Sequence, residues 1–460
     1  MSQFHIQIMF LLPSIQDFYF NTLLPSFQDH SFNTIFLIIF SLIVYFIYYR
    51  KFRRYVGRGA YPTETIDRSH DIFLPPYPYG WYRMCASDEL KAGQVFYKKC
   101  LGENLAIFRG NDQKAYVLDA YCAHMGANLG LGGKVKNESC LECPFHGWMY
   151  DGNTGNCLGN EGKNAKKADV YEYHNIEKLT KKDDCYFQKT GTEEAKLRKW
   201  VVRETHHQIF IWYHPNENQR LEPLYELLDL KDYDHLEYRG YGINVIKNHI
   251  SEVLENTADF QHFHYVHGQL IPNTDLLRLV WDFKWKPAED PDFVESMRHE
   301  DKFQDEYRKS LIDRYINDKN RKYVSMNAVT LNIKWPINNF MHYGATGTNF
   351  ILGSSSLYFF FRSWWLYDAY LSINVLPVDK YEQHFVISLF TNKSMPYWFS
   401  TMLICYEVNQ IKGDGVIWDN KRNSLKTFYN PHGFYEKMLI KWRNFYARFY
   451  AYDLGKKLIR

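Results

Sequence analysis

Apolar and polar positions alternate in short runs through Gln94-Val-Phe-Tyr-Lys, Leu105-Ala-Ile-Phe-Arg and Ala115-Tyr-Val-Leu. Period-two runs broken by Gly and Asn predict the strands of a small antiparallel β domain. Trp200-Val-Val-Arg and Gln208-Ile-Phe-Ile-Trp-Tyr213 predict the strands that close it. Between them, residues 159–198 are rich in Lys, Asn and Glu and predict a solvated insertion, with an edge hairpin as the alternative. From His249 to His267 there is neither Gly nor Pro, and the stretch predicts a helix. Residues 323–392 are mostly strand-like, as in Leu371-Ser-Ile-Asn-Val and Phe385-Val-Ile-Ser-Leu-Phe, which predicts the sheet of a second, pocket-forming domain. Met438, Trp442, Phe445 and Phe449 share one helical face and predict a docking helix.

Upstream of these elements lies Thr34–Tyr49, sixteen uncharged residues. A full membrane span needs roughly 20, and Ser31 to Asn33 can extend it. Arg50, Lys51, Arg53, Arg54 and Arg58 follow at once, which predicts that the C-terminal body stays in the cytosol. The first thirty residues show no apolar region with a cleavage site, so no secretory signal is expected. The expected architecture is α+β. Residues 1–58 hold a transmembrane helix (span about 32–49), and 76–215 form the antiparallel β domain with its insertion at 159–198. An α+β domain with an antiparallel sheet and helices follows at 216–430, and a C-terminal helix at 431–460. The expected location is a single-pass membrane protein of the endoplasmic reticulum.

Composition narrows the function classes. The net charge is only +3, from 55 basic and 52 acidic residues, which gives no reason to expect a nucleic-acid partner. Aromatic residues make up 18% of the chain, and much of this is expected to line a core or an apolar pocket, with a genomic bias towards Tyr, Phe, Asn and Lys as the alternative source. Eight cysteines, at 85, 100, 122, 140, 143, 157, 185 and 405, show no extracellular disulfide framework.

Two of those cysteines belong to a ligand pattern: Cys122-x-His124, eighteen residues, then Cys143-x-x-His146. Two thiolates and two imidazoles on paired loops suit a [2Fe–2S] centre with both sulfurs on one iron and both histidines on the other, the Rieske arrangement. A structural Cys2His2 zinc site uses the same four ligands. Zinc fingers, however, place both cysteines first and both histidines last, whereas here each loop carries one of each. Respiratory Rieske proteins carry an extra cysteine in each loop; the matching positions here are Ala127 and Phe145, so no disulfide joins the loops. Trp148 stands where such proteins have a serine that bonds a cluster sulfur. Fewer hydrogen bonds to sulfur predict a lower potential, suited to feeding an oxygenase.

A second constellation, Asp259-x-x-His262-x4-His267, places two histidines that converge if the helix loosens near the second. With one carboxylate they would make the facial triad of a non-haem Fe(II) oxygenase. His264 is the rival ligand. The third ligand is expected at Asp414, with Glu407 as the fallback.

With both motifs in hand, the chain resembles the Rieske non-haem iron oxygenases from about Pro76 to Lys421. Within them it looks like the sterol branch, which includes 3-ketosteroid 9α-hydroxylase oxygenases and membrane-anchored cholesterol 7-desaturases. Glu255-Asn-x-x-Asp-x-x-His-x4-His267 and Asp414-x-x-Ile-Trp-x-x-Lys421 carry the resemblance, with the N-terminal anchor. It implies a mononuclear iron on His262, His267 and Asp414, and a catalytic Asp259 that bridges this site to His146 of the partner subunit in a homotrimer. It also implies a sterol and dioxygen as substrates. No Gly-x-Gly-x-x-Gly follows a strand, so a separate NAD(P)H-dependent reductase, ferredoxin or cytochrome is expected to supply electrons. Cholesterol 7-desaturation is the leading expectation. The alternatives are another sterol oxidation (hydroxylation or loss of a 24-ethyl group), the chlorophyll-catabolic oxygenase branch, and a Rieske electron carrier without catalysis.

Overall fold

The computed structural model describes residues 68, 71, 74–159, 168–173, 187–228, 233–268, 278–299, 306–334, 341–362, 369–423, 428–430 and 432–450. The apolar stretch 34–49, the basic residues after it, Cys185 and residues 451–460 lie outside these. No helix among the described residues is long and apolar enough to cross a membrane.

The first part of the chain is antiparallel β. Its strands are β1 (Gly80–Ala86), β2 (Val95–Cys100), β3 (Glu103–Arg109), β4 (Ala115–Asp119), β5 (Lys134–Lys136), β6 (Cys140–Glu142), β7 (Met149–Asp151), β8 (Cys157–Gly159), β9 (Ala168–Tyr173), β10 (Phe187–Glu193), β11 (Val202–Thr205) and β12 (Gln208–Tyr213). They pair in the orders β1-β12-β11, β2-β3-β4 and β5-β6-β7-β8, with β9 and β10 as a hairpin. The expected alternating runs fall on β2, β3 and β4, and the expected closing strands on β11 and β12. The insertion therefore contains a hairpin, which among the described residues joins none of the other sheets. Leu105, Ile107 and Phe108 of β3 are fully buried, each contributing roughly 1.5–3 kcal/mol of burial.

The second part alternates strands and helices: β13 (Leu236–Ile246), α1 (Ile250–Glu255), α2 (Phe260–Val266), β14 (Arg278–Pro287), α3 (Pro291–His299), α4 (Glu306–Tyr315), β15 (Val324–Lys334), β16 (Met341–Leu352), β17 (Ser356–Arg362), β18 (Ala369–Asp379), β19 (Glu382–Asn392), α5 (Tyr397–Asn420) and α6 (Phe434–Ala447). The seven strands form one antiparallel sheet in the order β13-β19-β18-β17-β16-β15-β14. The whole is α+β, as the sequence pattern predicts.

The two faces of this sheet have different partners. On one, Ser372 and Asn374 of β18 meet the buried Gln208 of β12 at 3.1 and 3.3 Å, so the first part of the chain packs there. One hydrophobic cluster holds residues of both parts, and a second lies within the first part and includes Cys122 and Cys143. On the other face, α5 covers β13: a Cβ on Gly242 would lie 2.1 Å from Val408, and Asn244 donates to the Val408 carbonyl at 3.2 Å. At the far end of that same face, Asn327 of β15 donates to the Thr257 carbonyl between α1 and α2 at 2.8 Å. Phe263 of α2 lies on Trp281 of β14. The helices that carry the second motif and Asp414 are thus held over one face of the sheet. On α6, Met438, Trp442 and Phe445 are buried, as is Phe449 just beyond it, which fits the expected docking face.

Candidate metal centres

The two cysteine–histidine loops are built alike. The Cys122 amide donates to the Ala127 carbonyl at 2.9 Å and the Gly126 amide to the Cys122 carbonyl at 2.9 Å. In the second loop the Cys143 amide donates to the Trp148 carbonyl at 2.8 Å and the Gly147 amide to the Cys143 carbonyl at 3.2 Å. Gly126 and Gly147 have φ of 68° and 72°. A Cβ at either would meet nothing within 4 Å, so the turn's left-handed backbone, not crowding, calls for glycine.

These loops sort their four ligands by depth. Cys122 and Cys143 are buried, whereas His124 and His146 are exposed with ring centroids 4.8 Å apart. Trp148 stacks on His124 at 4.6 Å. Burial pushes the Cys143 thiol above its ordinary pKa, the Phe145 and His146 amides oppose this, and the neighbouring Cys122 adds to it. Two adjacent buried sulfurs beneath two outward imidazoles fit a cluster with sulfur on the inner iron and nitrogen on the outer one. Ala127 and Phe145 occupy the positions where a loop-joining disulfide would sit, and the described cysteines are all free. The sulfurs also have a neighbour that the sequence reading did not name. Trp148 indeed brings no hydroxyl, but Tyr150 Oη lies 3.1 Å from Cys122 Sγ and also accepts from the Ala123 amide at 3.1 Å. Its place on β7, two residues beyond Trp148, gave no signal in the sequence.

The stretch 249–267, predicted as one helix, is two. Asn256 caps α1, the Thr257 hydroxyl bonds back to the Leu254 carbonyl at 2.8 Å, and Asp259 Oδ1 accepts from the amides of Gln261 and His262 at 3.1 and 3.3 Å. Short polar side chains satisfying backbone groups outcompete helix continuation here. His267 ends α2 at φ −112° and ψ 18°, and this loosening lets it face His262.

The result is a convergent triad. His262, His267 and Asp414 present ligand atoms all within 4.8 Å of one another. The His262 and His267 rings lie 5.3 Å apart at 81°. His267 Nε2 is 3.0 Å from Asp414 Oδ2, and its Nδ1 donates to Gln410 Oε1 at 2.8 Å. His262 Nδ1 donates to the Asp259 carbonyl. Both histidines therefore have Nδ1 engaged and Nε2 turned inward, the way metal-ligating histidines are oriented. Gln410 escaped the sequence reading, although it sits one turn before Asp414 on the same face of α5. Gly413 lets α2 approach: a Cβ there would lie 3.3 Å from Val266.

Electrostatics favour a cation among these groups. Asp414 is buried, and its Oδ1 has no hydrogen-bond partner, a costly state that a metal ion would relieve. Burial lowers the His262 pKa. His267 is raised: burial opposes its charge, but the bond and charge of Asp414, with Gln410, outweigh it. His264 is exposed and packs against Phe260, away from the triad. Glu407 is pushed up to about 7 by burial and is not part of the convergent group, which takes in Asp414.

The remaining signature residues form a brace. Arg443 of α6 pairs bidentately with Glu255 at 2.8 and 2.9 Å. Lys421, just past α5, lies 2.6 Å from Glu252 and 3.6 Å from Glu255. This network ties α1, α5 and α6 together beside the triad.

Two family models match this chain. Residues 80–174 match the Rieske [2Fe-2S] domain, and residues 211–450 match the 3-ketosteroid 9alpha-hydroxylase C-terminal domain. The chain belongs to the Rieske oxidoreductase family defined by that pair of domains. Among its relatives, a cholesterol 7-desaturase of Ciona intestinalis is 28% identical over 90% of this chain and 81% of its own length. The cholesterol 7-desaturase of Drosophila melanogaster is 37% identical over 49% of this chain and 50% of its own. In fold, the chain resembles dicamba monooxygenase bound to dicamba, with a TM-score of 0.54 and 13% identity, covering 82% of this chain and 98% of that one.

Proposed function

We propose that this protein is a sterol-acting Rieske oxygenase that introduces the 7,8 double bond of cholesterol. The convergent triad with the unpaired Asp414 Oδ1 is the observation that carries it; the similarity to cholesterol 7-desaturases supports the substrate. Cys122 and Cys143 would hold the inner iron of a [2Fe–2S] cluster and His124 and His146 the outer one, with His262, His267 and Asp414 holding a mononuclear iron. Together these groups would supply single electrons and the activation of dioxygen.

The chain's own residues then have distinct tasks. Exposed His124 and His146 put the outer edge of the first centre at the protein surface, where a partner can approach. Gln410 and the Asp259 carbonyl fix the imidazoles of His267 and His262. The Asp259 carboxylate uses one oxygen to cap α2 and keeps the other to accept a hydrogen bond from His146 of the partner subunit, linking the two centres across a homotrimer. Residues 34–49 anchor the chain in the endoplasmic reticulum membrane with the catalytic body in the cytosol, next to a substrate that partitions into lipid. A separate NAD(P)H-dependent reductase delivers the electrons.

The test is sterol turnover in microsomes holding the full chain with a competent reductase and NAD(P)H, read by gas chromatography–mass spectrometry. The expected product from cholesterol is 7-dehydrocholesterol. No cholesterol product, with electron delivery to the cluster demonstrated, overturns the reading. Shortening of an offered 24-ethyl sterol instead would move the chemistry to the side chain.

The Tyr150 contact gives a second expectation. Tyr150→Phe removes a donor to Cys122 sulfur and should lower the cluster's reduction potential by about 40 mV, a differential interaction of ~1 kcal/mol. An EPR-monitored redox titration reads it.

A further inference from the structure

The sheet face beneath the triad can be followed across the strands by register. Gly240 of β13 pairs with Leu389, Leu389 with Leu371, Leu371 with Phe359, Phe359 with Asn349, Asn349 with Asn327, and Asn327 with Trp285. These seven residues lie in one row on the face covered by α5 at one end and by α1 and α2 at the other. The next row runs Gly242, Ile387, Ile373, Leu357 and Ile351. At mid-sheet Phe359, Leu357 and Ile373 are half-buried, an apolar stretch of this face between the part under α5 and the part under α1 and α2. Gly347 lets the Phe359 ring lie flat across β16, since a Cβ there would come within 2.1 Å of it.

Two polar side chains interrupt the apolar row, and they stand side by side. Asn327 is 1% and Asn349 8% exposed. Neither Oδ1 has a hydrogen-bond partner. Asn327 uses its Nδ2 on Thr257, whereas the Asn349 side chain makes no hydrogen bond to any described residue. Leaving a buried amide oxygen unpaired costs about 1–3 kcal/mol, and a pair of them in an apolar wall is explained by a ligand that supplies the missing donor. A hydroxyl on an otherwise apolar molecule is such a donor, and it can accept from Asn349 Nδ2 at the same time.

We propose that Asn327 and Asn349 form the subsite that receives the hydroxyl group of the sterol, so that the ring system lies over Phe359, Leu357 and Ile373 with its reacting carbon towards the triad. This rests on the sterol reading above and adds to it the residues that choose the substrate's polar end. The link of Asn327 to Thr257 also couples the subsite to the bend that sets His262.

Equilibrium binding of radiolabelled cholesterol and of its 3-deoxy counterpart cholest-5-ene to the full-length protein, without reductant, tests the proposal. The wild-type protein should prefer cholesterol by about ten- to a hundredfold, the loss expected when a buried amide is left unpaired. Asn349→Leu should bring that ratio close to one while binding cholest-5-ene as well as the wild type does, which also shows that the variant is folded. Asn349→Thr, which restores a hydrogen-bonding group, should recover part of the preference. An unchanged ratio in Asn349→Leu, or equal binding of both compounds by the wild-type protein, overturns the subsite alone. Binding of neither compound by the wild-type protein overturns the sterol reading and the subsite with it.

Discussion

Replacing Asp414 with alanine is expected to take iron from about three to about two atoms per chain and sterol turnover down by at least ~10³-fold, with the cluster intact. Asp414 faces His267 Nε2 at 3.0 Å and keeps its other oxygen unpaired, so the variant removes the one carboxylate of the convergent group. Without a negative ligand, two neutral imidazoles hold Fe(II) weakly. The cluster loops share no element with α5, and the reduced-cluster EPR signal should therefore survive. Metal analysis together with EPR on the same sample checks both halves. A variant that kept its mononuclear iron would point to Glu407, seven residues earlier on α5, as the ligand.

The second large effect is on stability. Arg443→Ala leaves Glu255 and Glu252, both buried, with Lys421 as their remaining cation. Breaking a fully buried pair costs roughly 3–5 kcal/mol, but Arg443 keeps 39% of its side chain exposed, so about 2–3 kcal/mol is expected in urea unfolding. The network also sets an acid limit. Although burial opposes its charge, Lys421 holds the Glu252 pKa below its ordinary 4.5. A depressed carboxylate stabilises the fold above its unfolded pKa and loses that contribution as pH falls through its folded value. Stability should therefore decline below about pH 4.5, with a shallower decline in Lys421→Met. A variant of Arg443 as stable as the wild type would mean that the brace is incidental.

Much of this site was legible because its chemistry needs particular residues at short spacing. Cys122, His124, Cys143 and His146 sit on two loops whose geometry is local, and the structure places all four together. His262 and His267 were readable as a pair, but not the break between α1 and α2 that aims them. That break depends on Thr257 and Asp259 bonding to nearby backbone, a competition that the absence of Gly and Pro conceals. Asp414 was a choice among distant acids, and the packing of α5 against α2, close at Gly413 and Val266, is what groups it with the two histidines. Gln410, Tyr150 and the Asn327–Asn349 pair were invisible for a common reason. Each acts through a contact between elements far apart in the chain, and strand register, which pairs the two asparagines, is fixed by the whole sheet. In the insertion the charged composition left a solvated segment and a hairpin both open, and β9 pairs with β10.

The measurement that tests the account most directly is the metal content of the purified wild-type protein, with EPR before and after reduction. The account predicts about three iron atoms and two acid-labile sulfides per chain, with a rhombic signal from the reduced cluster. It also predicts a ferrous site that binds nitric oxide, and that site should be absent in Asp414→Ala. Zinc in place of iron, or a cluster signal with no further iron in the wild-type protein, would contradict it.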